Sequence, residues 1–291
     1  MHPCPIDLGG VSVLPLRGGA FRLDAGAMFG MVPKVLWQQH VSIDENNRTA
    51  LACNVPLVRI GGSVLVIDTG CGDKWDAKSR EMYAMEGGSL CDALRACGVS
   101  PEDVTHVVLT HLHFDHAGGL TRWADASDAG CPVLNYPRAV FFVQKAEWDA
   151  ALKPSELTRR TYLRENLEPL ASSGRLRILD GGAAVLPGVS VLLTGGHSPG
   201  HQAVRIEGAE RVMYHPGDLL PLSHHSRPAW IPAYDCDASV SLEAKKSLFA
   251  RAAEEDAIVW TAHDPAAPAV SLALADGGRG FCCAAVPLER Q

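Results

Sequence analysis

The run Thr110-His111-Leu112-His113-Phe114-Asp115-His116-Ala117-Gly118-Gly119 places three imidazoles and a carboxylate between positions 111 and 116. Neutral imidazole and carboxylate are the donors that zinc and similar divalent ions favour in open, catalytic sites. The run directly follows Val107-Val108-Leu109, a short apolar stretch that reads as a buried strand delivering His111 at its end. Two apart in an extended segment, His111 and His113 can point to one side. Asp115 and His116 come where the chain turns and can face a second ion, and Gly118-Gly119 permits a tight bend beyond them.

One stretch cannot close two coordination spheres, so further ligands are expected at other strand ends. His201 in Gly195-Gly196-His197-Ser198-Pro199-Gly200-His201, Asp218 in Pro216-Gly217-Asp218 and His263 in Thr261-Ala262-His263-Asp264 each follow an apolar, β-like run. Ligands gathered this way imply a site at one edge of a sheet sandwich.

Strands are expected at Val64–Ile67, Val107–Leu109, Val140–Val143, Leu176–Leu179, Val189–Thr194, Ala203–Glu207, Arg211–Tyr214 and Ile258–Thr261. Ser89 caps a helix running to Cys97, Ser100–Asp103 suits a helical turn, and Leu242–Ala253 reads as an amphipathic helix. A helical, charged and exposed segment is expected over Ser155–Leu170. Strands in two clusters, with helices between and outside, fit a layered α/β fold. With no linker-like stretch in view, residues 1–291 are expected to form one domain.

The formal charge of −7 is spread without a basic block, which argues against a nucleic-acid partner. No apolar run reaches the roughly 20 residues that cross a bilayer, and Met1–Asp7 lacks the features of a signal peptide, so a cytoplasmic protein without a membrane partner is expected. Nine cysteines without regular spacing read as reduced, mostly buried thiols, with Cys282-Cys283 a strand feature.

The pattern H-x-H-x-D-H, then Gly-His-x-x-Gly-His, then Gly-Asp, then a late His resembles the metallo-β-lactamase fold superfamily from about Leu65 to His263. The resemblance implies an αββα sandwich of two mixed β-sheets with outer helices. It also implies that His111, His113 and His201 hold one metal ion, that Asp115, His116 and His263 hold another, and that Asp218 bridges the two. Asp68 resembles the family's aspartate that supports the metal loop from behind. His40, His106 and His197 fill no implied ligand position and read as structural.

Two divalent ions about 3.5–4 Å apart lower the pKa of a shared water, so a bridging hydroxide is the implied nucleophile. Asp115 or Asp218 is the implied catalytic proton donor. Zinc is the expected ion, although iron, manganese or cobalt suits the same donors. Thr110–Gly119 and Gly196–Gln202 are most similar to the quorum-quenching N-acyl-homoserine lactonases, and Asp24–Lys34 with Leu36-Trp37, Asn46-Asn47-Arg48 and Gly217–Pro221 through Trp230 to Tyr234-Asp235 are similar to the YtnP-like branch of that group. A small lactone or ester substrate is therefore expected, its acyl chain received by Met28, Phe29, Met31, Trp37 and Trp230.

One departure is visible: Pro221 stands where these lactonases carry a tyrosine, leaving His224, His225 or Tyr234 to substitute. Asp218 and the short stretch after His263 argue against β-lactamase and glyoxalase activities. A phosphotriesterase of the methyl-parathion-hydrolase type and a non-catalytic metal-binding sensor are the alternatives. An exposed apolar Met28–Trp37 loop would favour a homodimer.

Overall fold

The computed structural model describes residues 4–125, 130–275 and 280–287. Met1, His2 and Pro3, at the start of the segment read for a signal peptide, lie outside the described residues.

Alternation along the strands generates the layers. In Ser63–Ile67, Leu65 and Ile67 point to one face and Val66 to the other. In His106–Val108, Val107 shares the side of Val66 while Val108 sits with Leu65. This period of two gives each sheet two apolar faces, and both must be covered. Seven strands form the first mixed sheet, in the order Ile6–Asp7, Val11–Asp24, Arg48–Ile60, Ser63–Ile67, His106–Val108, Val140–Gln144, Leu176–Leu179. Its first four strands pair antiparallel and its last four parallel.

The second sheet runs Ala183–Leu186, Val189–Leu193, Gln202–Glu207, Val212–His215, Ile258–Trp260, Ala269–Leu274, Phe281–Ala285. Only Val212–His215 and Ile258–Trp260 pair parallel in it. Val204, Ile206, Met213, Ile258 and Trp260 meet Leu65, Ile67 and Val108 in the core between the sheets.

Helices cover the outer faces. Leu90–Ala96 is capped by Ser89 and Asp92 in a reciprocal capping box, and its Leu90 and Leu94 are fully buried over the first sheet. Ala238–Glu254 starts at Asp237, whose carboxylate accepts the N–H groups of Ser239 and Val240. Its Leu248, Phe249 and Ala252 pack beside Tyr214 and Val259 over the second sheet. The result is the expected αββα sandwich.

Three expectations need correction. Helix occupies only Arg164–Ser172 of the segment from Ser155, and its Asn166, Leu167 and Leu170 are buried. Before it, Ser155 and Thr158 bond each other's backbone N–H through their hydroxyls, a local turn that competes with helix. Of nine free cysteines, only Cys53, Cys71 and Cys91 are buried. The Met28–Trp37 stretch is not uniformly exposed: Phe29 and Trp37 stack inside the protein, while Met31, Val35 and Leu36 face outward. Among the described residues no helix is long and apolar enough to cross a membrane.

Candidate metal centre

Strand ends from both sheets meet at one rim. Beyond Ile67, Asp68 adopts a positive φ of 63° and turns its carboxylate onto the next loop. There it accepts the backbone N–H of Thr110 at 2.7 Å and the Thr110 hydroxyl at 2.8 Å. The ligand loop lies directly on this support. A Cβ on Gly118 would overlap the backbone of Cys71, and one on Gly119 that of Thr69. The paired glycines are therefore needed for close approach of two backbones.

Two groups of donor atoms result. His111, His113 and His197 form the first, and Asp115, His116, Asp218 and His263 the second; within each, the candidate ligand atoms lie within 4.8 Å of one another. Asp218 spans them. Its Oδ1 lies 3.2 Å from His116 Nε2 and 3.1 Å from His263 Nε2, while its Oδ2 lies 3.3 Å from His197 Nε2. Asp115 Oδ2 stands 3.5 Å from His263 Nε2.

The structure thus brings together His111, His113, Asp115, His116, Asp218 and His263, but not His201. Both ring nitrogens of His201 are engaged elsewhere, Nδ1 with the Thr194 hydroxyl at 2.6 Å and Nε2 with the backbone N–H of Asp218 at 3.1 Å. His197, expected to be structural, stands in its place. The signal lay in chain direction: His197 follows the Gly195-Gly196 bend at a strand end, whereas His201 immediately precedes the strand Gln202–Glu207.

The rings are held from behind. His116 Nδ1 meets Asp68 Oδ2 at 2.8 Å, His197 Nδ1 meets Asp235 Oδ1 at 2.8 Å, and His263 Nδ1 meets the Ala52 carbonyl at 3.1 Å. Such contacts fix which nitrogen faces a metal. The Asp235 contact was not legible in the sequence.

Donor chemistry fits divalent cations. His111 Nε2 and His113 Nε2 are buried without a hydrogen-bond partner, an arrangement that costs stability unless an ion completes it. Burial, reinforced by neighbouring imidazoles, holds His111 and His113 well below their ordinary pKa, in the neutral form that ligates. At His263 burial opposes the proton, but Asp218 outweighs it and brings the pKa to about 10. Burial likewise works against ionised Asp218, yet His116, His263 and His197 hold it well below the carboxylate range. Incoming cations would displace these protons.

Above the donors lies a cleft of about 410 Å³ lined by His113, Asp115, His197, Asp218 and His263 together with Met28, Leu51, Tyr83, Phe114, Pro221 and Tyr234. Of the residues expected to receive an acyl chain, Met28 alone lines it. Trp230 faces a separate groove of about 1180 Å³, which none of the donor residues lines. His225 is stacked on Phe29 with Nε2 on the Met28 carbonyl, and His224 lines the separate groove. Tyr234 is thus the one of the three substitutes expected for the missing tyrosine that reaches the cleft.

The family model of the metallo-β-lactamase superfamily matches residues 48–263, and the chain belongs to that superfamily. It is similar to the N-acyl homoserine lactonase of Bacillus cereus, 30% identical over 179 residues that cover 62% of this chain and 63% of that protein. It is also similar to the N-acyl homoserine lactonase AttM of Agrobacterium fabrum strain C58, 27% identical over 182 residues covering 60% and 63%. The match spans less than two thirds of the length of these relatives.

Among solved structures, a probable metal-dependent hydrolase from Staphylococcus aureus superposes with a TM-score of 0.88 at 28% identity, covering 98% of this chain and 100% of that one. AidC, a dizinc quorum-quenching lactonase solved with a product, superposes with a TM-score of 0.80 at 20% identity and 99% coverage of both chains, a likeness of fold.

Proposed function

We propose that this protein is a hydrolase dependent on two divalent metal ions, with zinc as the ion, that opens a lactone or ester, N-acyl-homoserine lactones being the first candidates. The observation that carries the reading is Asp218, whose two oxygens face the two donor groups across the floor of an open cleft. His111, His113 and His197 would hold one ion, Asp115, His116 and His263 the other, and Asp218 both. When bound, such a pair supplies Lewis acidity at a substrate oxygen and makes water ionise near neutral pH.

The chain's own groups supply the remainder. Asp115, lining the cleft, takes the proton from the attacking water at the carboxylate oxygen left free of the ion and returns it to the leaving ring oxygen, so a hydroxy acid is formed. Tyr234 lines the cleft and its phenol, protonated at neutral pH, is a donor for the substrate carbonyl. Met28, Leu51 and Phe114 offer apolar contact for an acyl chain, and the curated relatives named as N-acyl homoserine lactonases support that choice.

The test is proton release by purified, zinc-loaded protein given short- and long-chain acyl-homoserine lactones, simple γ-lactones, aryl esters and a phosphotriester. Turnover of lactones or esters is expected. Turnover of the phosphotriester alone, or of nothing, overturns the reading.

A further inference from the structure

Glu147 lies in the first turn of the helix Lys145–Leu152, is 1% exposed, and has no role in the chemistry above. Its carboxylate is surrounded by donors. Oε1 accepts the backbone N–H of Leu112 at 2.9 Å and the hydroxyl of Tyr162 at 3.0 Å; Oε2 accepts the hydroxyl of Ser198 at 2.5 Å and the N–H of Gly200 at 3.2 Å. Among the described residues no ion pair offsets the charge, so these four bonds are what permits its burial.

The donors come from three separate segments. Leu112 sits between His111 and His113, and Ser198 and Gly200 follow His197, so one carboxylate ties together the two loops that supply the first donor group. The contact is tight, since a Cβ on Gly200 would overlap the Glu147 backbone. Tyr162 brings the third segment. Its ring stands 5.1 Å from that of His113, and the stretch before it lines the cleft through Leu157, Thr158 and Thr161.

We infer that Glu147 is a positioning residue that sets the metal affinity of the His111, His113 and His197 group and, through Tyr162, anchors a wall of the substrate cleft to it. The inference rests on the reading that the two groups hold cations and is independent of which substrate is hydrolysed. Glutamine cannot replace the carboxylate: in either orientation its NH2 would face a backbone N–H, that of Gly200 or that of Leu112.

The experiment compares wild type with Glu147→Gln, Ser198→Ala and Tyr162→Phe. Zinc affinity is read by competition with a chromophoric chelator, and folding by circular dichroism. The ion affected is identified in the cobalt-loaded forms from the shifted imidazole proton resonances. Glu147→Gln is expected to weaken one ion by about 10–100-fold, with loss of the His111, His113 and His197 signals and retention of those of His116 and His263. Ser198→Ala should weaken the same ion by roughly 3–10-fold, and it decides the matter if Glu147→Gln does not fold.

Tyr162→Phe keeps the ring against His113, so both ions should stay at wild-type affinity. With whichever of the assayed substrates is turned over, KM should rise about fivefold and kcat stay within twofold. Wild-type affinity in both Glu147→Gln and Ser198→Ala, weakening of the His116 and His263 ion instead, or an unchanged KM in Tyr162→Phe overturns the inference. A wild-type protein that holds no cation overturns the proposed function as well, whereas two ions in wild type with no effect of these substitutions overturns this inference alone.

Discussion

The backbone N–H of Asp218 donates to Nε2 of His201 at 3.1 Å, so this histidine supports the carboxylate that spans the donor groups instead of facing a cation itself. Gly217 adopts a positive φ of 55° in making that turn, and any Cβ there would overlap the His201 ring. His201 is therefore a strut for the Asp218 turn.

The two histidines of the Gly196–Gln202 stretch should thus fail differently. His197→Ala is expected to lose one bound ion of two. His201→Ala should keep both at saturating zinc while losing about 1–3 kcal/mol of stability, through an unpaired buried N–H. Zinc content by mass spectrometry and thermal melts separate the cases, and loss of one ion by His201→Ala with retention of two by His197→Ala would reverse the assignment.

Removing the spanning carboxylate should be more severe. Asp218→Ala is expected to lose at least one zinc equivalent and about 100-fold or more in kcat/KM, because neither group keeps its shared oxygen ligand. Unchanged metal content and rate would remove Asp218 from the site.

Tyr234→Phe isolates a single hydroxyl at the cleft. If that hydroxyl bonds the substrate carbonyl, kcat/KM should fall roughly tenfold, equivalent to about 1.4 kcal/mol, with zinc content unaffected. Kinetics indistinguishable from wild type would exclude the phenol from substrate recognition.

Lys245 gives a pH signature away from the metal ligands. It is buried in Ala238–Glu254 and donates to the Trp230 carbonyl at 2.6 Å. Burial lowers its pKa from 10.5 to about 7, against the pull of Asp235. In the unfolded chain it regains its ordinary value, so between these pH values the unfolded state binds more protons than the folded one. The contribution of Lys245 to stability is therefore least favourable below about pH 7 and rises as the pH climbs toward 10.5. The Tm of wild type relative to Lys245→Met should accordingly increase by several degrees from pH 7 to pH 9. A difference that stays flat across that range would show that the lysine keeps its proton in the folded state.

Those parts of the fold that depend on short-range pattern could be read from the sequence. Val64–Ile67 and Val140–Val143 are continuous apolar runs, and Ser89 announces its helix with a cap three residues before Asp92. The long antiparallel pair Val11–Asp24 and Arg48–Ile60 was not read, since Pro15, Gly18 and Gly19 interrupt the first strand and its register shifts between Arg17 and Ala20. Six of the donor residues were legible because His111, Asp218 and His263 stand just beyond apolar runs and His113, Asp115 and His116 follow His111 within five residues. Choosing between His197 and His201 required knowing which residue begins the following strand. The supporting carboxylates of Asp235 and Glu147 were hidden because their partners are brought to them by tertiary folding alone.

The contacts of Gly118 with Cys71 and of Gly119 with Thr69 bear on how such sites can be rebuilt. Where two main chains touch with no side chain between them, neither can be redrawn alone, and a chimera that imports only the histidine-bearing segment would place foreign atoms inside its neighbour. Residues 68–72 and 110–119 are thus a single unit of exchange, to be transplanted between scaffolds together.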